Sequence, residues 1–206
     1  MATTIWGTSS SWTLTALPLF VWMGEILFRT KLSENLFEGL SPWMQKLPGG
    51  LIHVNVVGCA LFAAISGSSA ATVATVGKMS IPELRKRNYP EKILLGSLAG
   101  SGTLGLLIPP SIILIIYGVT VQESIAKLFV AGIVPGIMIA LIFMSYVILW
   151  SLFNKKQMPN IVNQYSFIDK IKRSGQLIPV IILILSVIGS IYTGIATATE
   201  AASLGV

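Results

Sequence analysis

Residues 99–118 read AGSGTLGLLIPPSIILIIYG, and two incompatible structures compete for them. Gly100-Ser101-Gly102-Thr103-Leu104-Gly105 matches GxGxxG, the dinucleotide-binding fingerprint. That fingerprint needs a β-strand before it and an uninterrupted helix after it, so that a pyrophosphate meets a helix N-terminus. Here a basic loop precedes the glycines, and Pro109-Pro110 follows them inside an aliphatic run. The stretch therefore reads as an apolar helix that is broken. Proline has no N–H and clashes with the carbonyl four residues back. Pro109 and Pro110 should thus free the carbonyls of Gly105 and Leu106, with Gly100, Gly102 and Gly105 loosening the turn before them. Unpaired backbone in hydrocarbon costs several kcal/mol per group unless protein, water or an ion satisfies it. A plain proline kink with no ligand is the simpler alternative.

Composition places the break in a membrane. The 206 residues are 53% hydrophobic and 11% charged, whereas a soluble domain carries about a quarter charged residues. One cysteine, Cys59, excludes a disulfide framework and a cysteine-rich metal site. One histidine, His53, leaves little for imidazole chemistry. The net charge of +6 comes from clustered basic residues, which in a membrane protein report orientation rather than nucleic-acid binding. The polar lead at residues 3–11 has no basic start and is no secretory signal.

Five apolar stretches stand out, at residues 12–28, 51–77, 93–117, 128–153 and 176–195. None alternates as a barrel strand does, so the expected class is all-α: a polytopic helical membrane protein. Basic residues crowd the links 78–92 (Lys78, Arg85, Lys86, Arg87, Lys92) and 154–173 (Lys155, Lys156, Lys170, Lys172, Arg173), whereas 118–127 holds only Lys127. The positive-inside rule then puts the first two links in the cytoplasm and the third outside. Residues 29–50 carry Arg29, Lys31 and Lys46, with Leu32, Leu36, Phe37 and Leu40 at helical spacing. That pattern predicts an amphipathic arm helix at the cytoplasmic interface. Parity then makes 51–77 a re-entrant hairpin with SGSS at its tip; one ordinary span is the alternative.

The tip is a second interruption. Ser66, Ser68, Ser69, Thr72 and Thr75 surround Gly67 in an otherwise apolar segment, offering oxygen ligands without full charge. Small residues also serve close helix packing. A serine-nucleophile reading lacks a base, and GxSxG is not matched. Two interrupted segments are the sequence pointer to a transporter site at the bilayer midplane, where freed carbonyls suit Na⁺ and a fresh helix N-terminus at Ser111 suits an anion. Glu25 and Glu200 are intramembrane carboxylate candidates or interfacial anchors, since each lies near a span end. His53 reads as a packing residue rather than a proton relay. Trp6, Trp12, Trp22, Trp43 and Trp150 mostly fall near span edges, as aromatic belts do.

FAAISGSSAATVATVG, GTLGLLIPPSIILIIYGV and SIAKLFVAGIVPGI, in that order, with PLFVWMGEIL upstream and GIATATEAASLGV at the end, resemble the large membrane subunit of tripartite ATP-independent periplasmic (TRAP) transporters. The resemblance implies an elevator-type fold of two inverted repeats, each with a re-entrant hairpin and a broken helix. It implies Na⁺-driven import of organic acids such as C4-dicarboxylates, sialic acid or sugar acids across the bacterial inner membrane, with Na⁺ as coupling ion and no other cofactor. Implied partners are a periplasmic substrate-binding protein, a small four-helix membrane subunit and the remaining part of the large subunit. On this reading Ser66, Gly67, Ser69, Gly102, Gly105 and Pro109 form a Na⁺ site, and Ser68, Ser69, Thr72 and Ser111 face substrate. Such subunits are roughly twice this length, so the resemblance implies a fragment carrying the first repeat. The ending TATEAA also departs from the family, which more often has proline between the threonines. Alternatives are an anion carrier of the wider ion-transporter superfamily, working without a binding protein, and a non-transporting remnant. An enzyme is disfavoured, since no base, nucleophile or metal set assembles.

Overall fold

The computed structural model describes residues 12–159 and 166–206; Trp6, the polar lead and part of the second basic link lie outside the described residues. All the described elements are helical. After a 3₁₀ turn, Trp12–Thr15, α1 (Ala16–Arg29) buries Ala16, Phe20, Met23, Gly24 and Leu27 along one stripe. α2 (Leu32–Met44) follows, and then α3 (Ile52–Ser66), of whose 15 residues 12 are buried. A helix that is apolar all round belongs at the centre of its fold, and α3 packs against α1, α2, α4 (Ser69–Lys86) and α5 (Glu91–Gly102).

α3 and α4 fold back on each other about Gly67 and Ser68. Gly67 has φ +60°, the left-handed region glycine adopts without strain. Ser68 is extended, and its hydroxyl accepts from the Ala71 N–H at 3.4 Å, which starts α4. After α5 come a 3₁₀ turn (Thr103–Leu106), a non-helical stretch at 107–111 and α6 (Ile112–Val121). α6 has 10 residues and so runs about 15 Å, half of a ~30 Å hydrocarbon core.

Two rods differ from this buried centre. The most apolar 18-residue window of α7 (Ile125–Phe153) has mean hydropathy 2.4, and only 11% of it is buried. α8 (Phe167–Ser174) continues through a 3₁₀ turn into α9 (Ile178–Tyr192), giving a rod whose most apolar 18-residue window has mean hydropathy 2.1 and is 22% buried. Apolar helices that stay exposed need hydrocarbon or a partner, not a core of their own. α10 (Ala198–Gly205) closes the described chain.

Several boundaries differ from the sequence expectation. The basic link at 78–92 is mostly helix, because α4 runs on to Lys86 and ends with Arg85 and Lys86 in its last turn, where cations suit the helix dipole. The second basic link is also partly helical: Lys170, Lys172 and Arg173 lie on α8, which docks on α2. There Lys170 is buried with its ammonium 5.4 Å from the Trp43 ring centroid, and the Trp43 indole donates to Ser174 at 2.8 Å. Arg29 ends α1, and of the expected arm, 29–50, only 32–44 forms a helix of its own. Its apolar residues Leu36, Phe37 and Leu40 are buried against protein rather than open to lipid.

Candidate functional site

The two interruptions meet. A Cβ on Gly105 would stand 2.8 Å from the Ser69 nitrogen and 2.9 Å from the Ser68 oxygen, so the break rests directly on the hairpin turn. A Cβ on Gly67 would stand 2.6 Å from the Pro110 carbonyl oxygen. The first N–H of α6, at Ile112, donates to the Gly67 carbonyl at 3.3 Å. Gly102 faces the Val73 side chain, and a Cβ there would also lie 3.9 Å from the Ser69 carbonyl oxygen. Glycine is required at 67 and 105 because two backbones touch there, which no side chain permits. Pro109 and Pro110, joined by a cis peptide bond, are buried, and α7 presents Gly132 and Gly136 to Leu107, Ile108 and Pro109.

The hydroxyls form a short relay. Thr72 Oγ1 donates to the Ser68 carbonyl at 2.7 Å, which leaves Ser66 Oγ to donate to Thr72 Oγ1 at 2.9 Å. Ser66 and Thr72 are fully buried. Ser69 Oγ is buried too and has no hydrogen-bond partner among the described residues, and the same holds for Thr75 Oγ1 on the same helix. Buried hydroxyls without partners are rare and mark strain, water or an ion.

Ser111 behaves differently from expectation. Its hydroxyl is buried and donates to the Leu106 carbonyl at 2.6 Å. One of the two carbonyls freed by the prolines is therefore satisfied locally, and the Ser111 proton is already engaged. Among the described residues, no three His, Cys, Asp or Glu side chains come together. The junction offers hydroxyl and carbonyl oxygens, neutral donors that suit a hard cation of low charge.

The other candidates lie elsewhere. Glu25 pairs with Arg29 at 2.8 Å on an exposed face. Glu200 completes a capping box: its carboxylate accepts from the Thr197 N–H at 2.8 Å, and Thr197 Oγ1 accepts from the Glu200 N–H at 3.4 Å. His53 is fully buried and its Nε2 donates to the Pro48 carbonyl at 2.8 Å, which fixes that tautomer in a packing role. Two surface cavities, of ≈ 550 and ≈ 460 Å³, are lined by neither the tip nor the break.

One polar cluster has no counterpart among the sequence candidates. Asn55, buried within α3, donates from Nδ2 to the Leu94 carbonyl at 3.2 Å and to Ser97 Oγ at 3.0 Å. Ser101 Oγ reaches the Ser97 carbonyl at 2.6 Å and the Asn55 carbonyl at 3.4 Å. An asparagine inside an apolar helix, with serines four apart on another, was the available signal. This seam fixes α5, and with it the break, against the hairpin.

With this geometry in place, the relatives of the chain are informative. The family model for the DctM component of tripartite ATP-independent periplasmic transporters matches residues 1–206. The chain is 34% identical over 204 residues to the C4-dicarboxylate TRAP transporter large permease protein DctM of Pseudomonas aeruginosa, covering 99% of this chain and 47% of that protein. It is 37% identical over 199 residues to the isethionate TRAP transporter permease protein DctMQ of Oleidesulfovibrio alaskensis, covering 94% and 30% respectively. It is 33% identical over 200 residues to the sialic acid TRAP transporter large permease protein SiaM of Vibrio cholerae, covering 96% and 46%. The chain thus spans about half the length, or less, of these curated relatives. Matched end to end by the family model, it belongs to the DctM component family of tripartite ATP-independent periplasmic transporters.

Proposed function

We propose that this chain forms the first-repeat half of a Na⁺-coupled permease that imports small organic acids, of the C4-dicarboxylate, sialic acid or sugar acid class, across the bacterial inner membrane. A periplasmic substrate-binding protein delivers the acid. A small four-helix membrane subunit braces the permease, and the remaining part of the large subunit completes it. The observation that carries the reading is the contact between hairpin tip and broken helix, with Ser69 Oγ buried there and unpartnered.

Na⁺ sits between the tip and the break, held by oxygens of Ser66, Gly67, Ser69, Gly102, Gly105 and Pro109. Ser69 Oγ is the readiest of these ligands, because no internal hydrogen bond must break to free it. The acid is taken up beside the same turn by Ser68, Ser69 and Thr72. Ser111 completes the substrate side, where the N-terminus of α6 favours the carboxylate while its own proton goes to Leu106. Binding of Na⁺ bridges two segments that already meet backbone to backbone at Gly67 and Gly105, which couples the ion to the position of the hairpin. α3 and α4 enter and leave on the cytoplasmic side, as their flanking basic residues suit.

The test is uptake of labelled succinate or sialic acid into proteoliposomes that hold this chain, the remaining large-subunit part, the small subunit and the binding protein. Uptake driven by an inward Na⁺ gradient, and lost when K⁺ replaces Na⁺, is the expected result. Uptake indifferent to Na⁺ contradicts the coupling.

A further inference from the structure

We propose that the cavity enclosed by α1, α2, α4 and α8 is a docking site for the headgroup of an anionic phospholipid. It measures ≈ 550 Å³ and lies on the basic side of the molecule, away from the tip. Along α4, Lys78 is nine residues from Ser69, about 14 Å. The cavity is lined by five cations, Arg29, Lys31, Lys78, Arg87 and Arg173, against three carboxylates, Glu34, Glu38 and Glu83. Some of these charges are already engaged: Glu83 accepts from Arg87 at 3.5 Å, Glu38 from the Gln176 amide at 2.9 Å, and Arg29 pairs with Glu25 at 2.8 Å. Among the described residues, Lys31 and Lys78 have no carboxylate within ion-pair distance, and both are exposed. Lys78 holds its ammonium 5.0 Å from the Phe28 ring centroid, which keeps it at the cavity wall.

The walls are of two kinds, and that decides the occupant. Phe28, Phe37, Met79 and Pro82 supply apolar surface beside the cations. α8 adds Arg173 to the cavity and carries Phe167, Ile168 and Ile171 exposed. A phosphodiester attached to hydrocarbon matches charge and apolar wall together, whereas a small soluble anion leaves the apolar wall wet. Basic pockets between helices on the cytoplasmic side take anionic headgroups for this reason. The inference rests on the membrane location alone, not on transport.

The test uses the purified chain in neutral detergent, followed by thermal unfolding during titration with short-chain phosphatidylglycerol, phosphatidylcholine or inorganic phosphate. Phosphatidylglycerol is expected to raise the midpoint saturably and phosphatidylcholine to leave it unchanged. The Lys31→Gln/Lys78→Gln variant should need roughly tenfold to thirtyfold more phosphatidylglycerol, since each cation near a lipid surface contributes on a tenfold-or-less scale. Lys155→Gln/Lys156→Gln, outside the cavity, should titrate as the parent does. Equal response to both lipids, an equal loss in the two variants, or a response to phosphate matching that to phosphatidylglycerol overturns the proposal. Phosphatidylglycerol binding without Na⁺-driven uptake leaves it standing, and Na⁺-driven uptake without lipid preference overturns it alone.

Discussion

α7 and the α5–α6 segment are both long, apolar and interrupted by proline in sequence, yet they end as opposites. Pro135 lies inside α7, which stays helical for 29 residues and turns its apolar side chains outward. Pro109 and Pro110 leave 107–111 without helix, buried against another turn. One proline removes one hydrogen bond and a helix can absorb it. Two in succession, preceded by three glycines, remove enough of the ladder that another backbone must take its place. Gly67 and Ser68 do this, with Gly132 and Gly136 of α7 closing the other side. Proline alone does not make a site; a second interrupted backbone packed onto it does.

The contrast breaks most readily at its glycines. Gly67→Ala places a Cβ at φ +60° and 2.6 Å from the Pro110 oxygen, and Gly105→Ala presses on the Ser69 nitrogen at 2.8 Å. Each should cost about 2–4 kcal/mol and lower the unfolding midpoint markedly, since backbone cannot yield as side chains do. Gly136→Ala meets Ile108 Cγ1 at 2.8 Å, a side-chain atom that can shift, and should cost about 1 kcal/mol. Gly189→Ala in α9 meets nothing within 4 Å and should be neutral or stabilising by up to about 1 kcal/mol. Thermal unfolding of the four variants orders them; equal effects at 105 and 189 would deny the contact.

Hydroxyls give a smaller, sharper contrast. Ser111→Ala removes the donor to the Leu106 carbonyl in the broken segment and should cost about 1–2 kcal/mol. Ser145→Ala removes an equivalent 2.8 Å bond to Leu141 inside α7, where the carbonyl belongs to an intact helix, and should cost only a few tenths of a kcal/mol. Denaturant titration of the pair measures the difference, and similar losses would mean that the break leaves no carbonyl dependent on Ser111.

What sequence revealed follows from which rules are local. The breaks at 66–69 and 107–111 were legible because Gly and Pro act on their own backbone. The exposure of α7 followed from an apolar run too long to bury. The helix at Phe167–Ser174 was not legible, because Lys170 looks solvated until Trp43 from 127 residues earlier covers it. The bond from Ser111 to Leu106 was not legible either, since that carbonyl becomes available only once the break has its folded shape. Glu200 was the avoidable miss: Thr197-Ala198-Thr199-Glu200 is a capping-box pattern, and the cap accounts for its carboxylate.

The smallest effect lies outside both regions. Arg85 donates to Glu91 at 2.6 Å across the turn between α4 and α5, and this hydrogen bond holds the Glu91 carboxyl below its ordinary value. A carboxyl depressed in the folded state contributes stability above its unfolded value near 4.5, and loses it as pH falls through the lower folded value. Both side chains are exposed, so Glu91→Gln should lower the midpoint only slightly at neutral pH and match the parent in acid. A large pH-dependent change would place this pair nearer the structural centre than the junction.

The most direct measurement concerns Ser69. The purified chain is heated with increasing NaCl, or with KCl at the same ionic strength, alongside Ser69→Ala. Removing a buried hydroxyl with no partner should leave stability without Na⁺ within about 0.5 kcal/mol of the parent, or slightly improve it. Na⁺ should raise the midpoint of the parent progressively, K⁺ should not, and Ser69→Ala should lose most of the Na⁺ response. A parent that responds alike to both salts, or a Ser69→Ala variant that keeps the full Na⁺ effect, contradicts a cation held between the tip and the break.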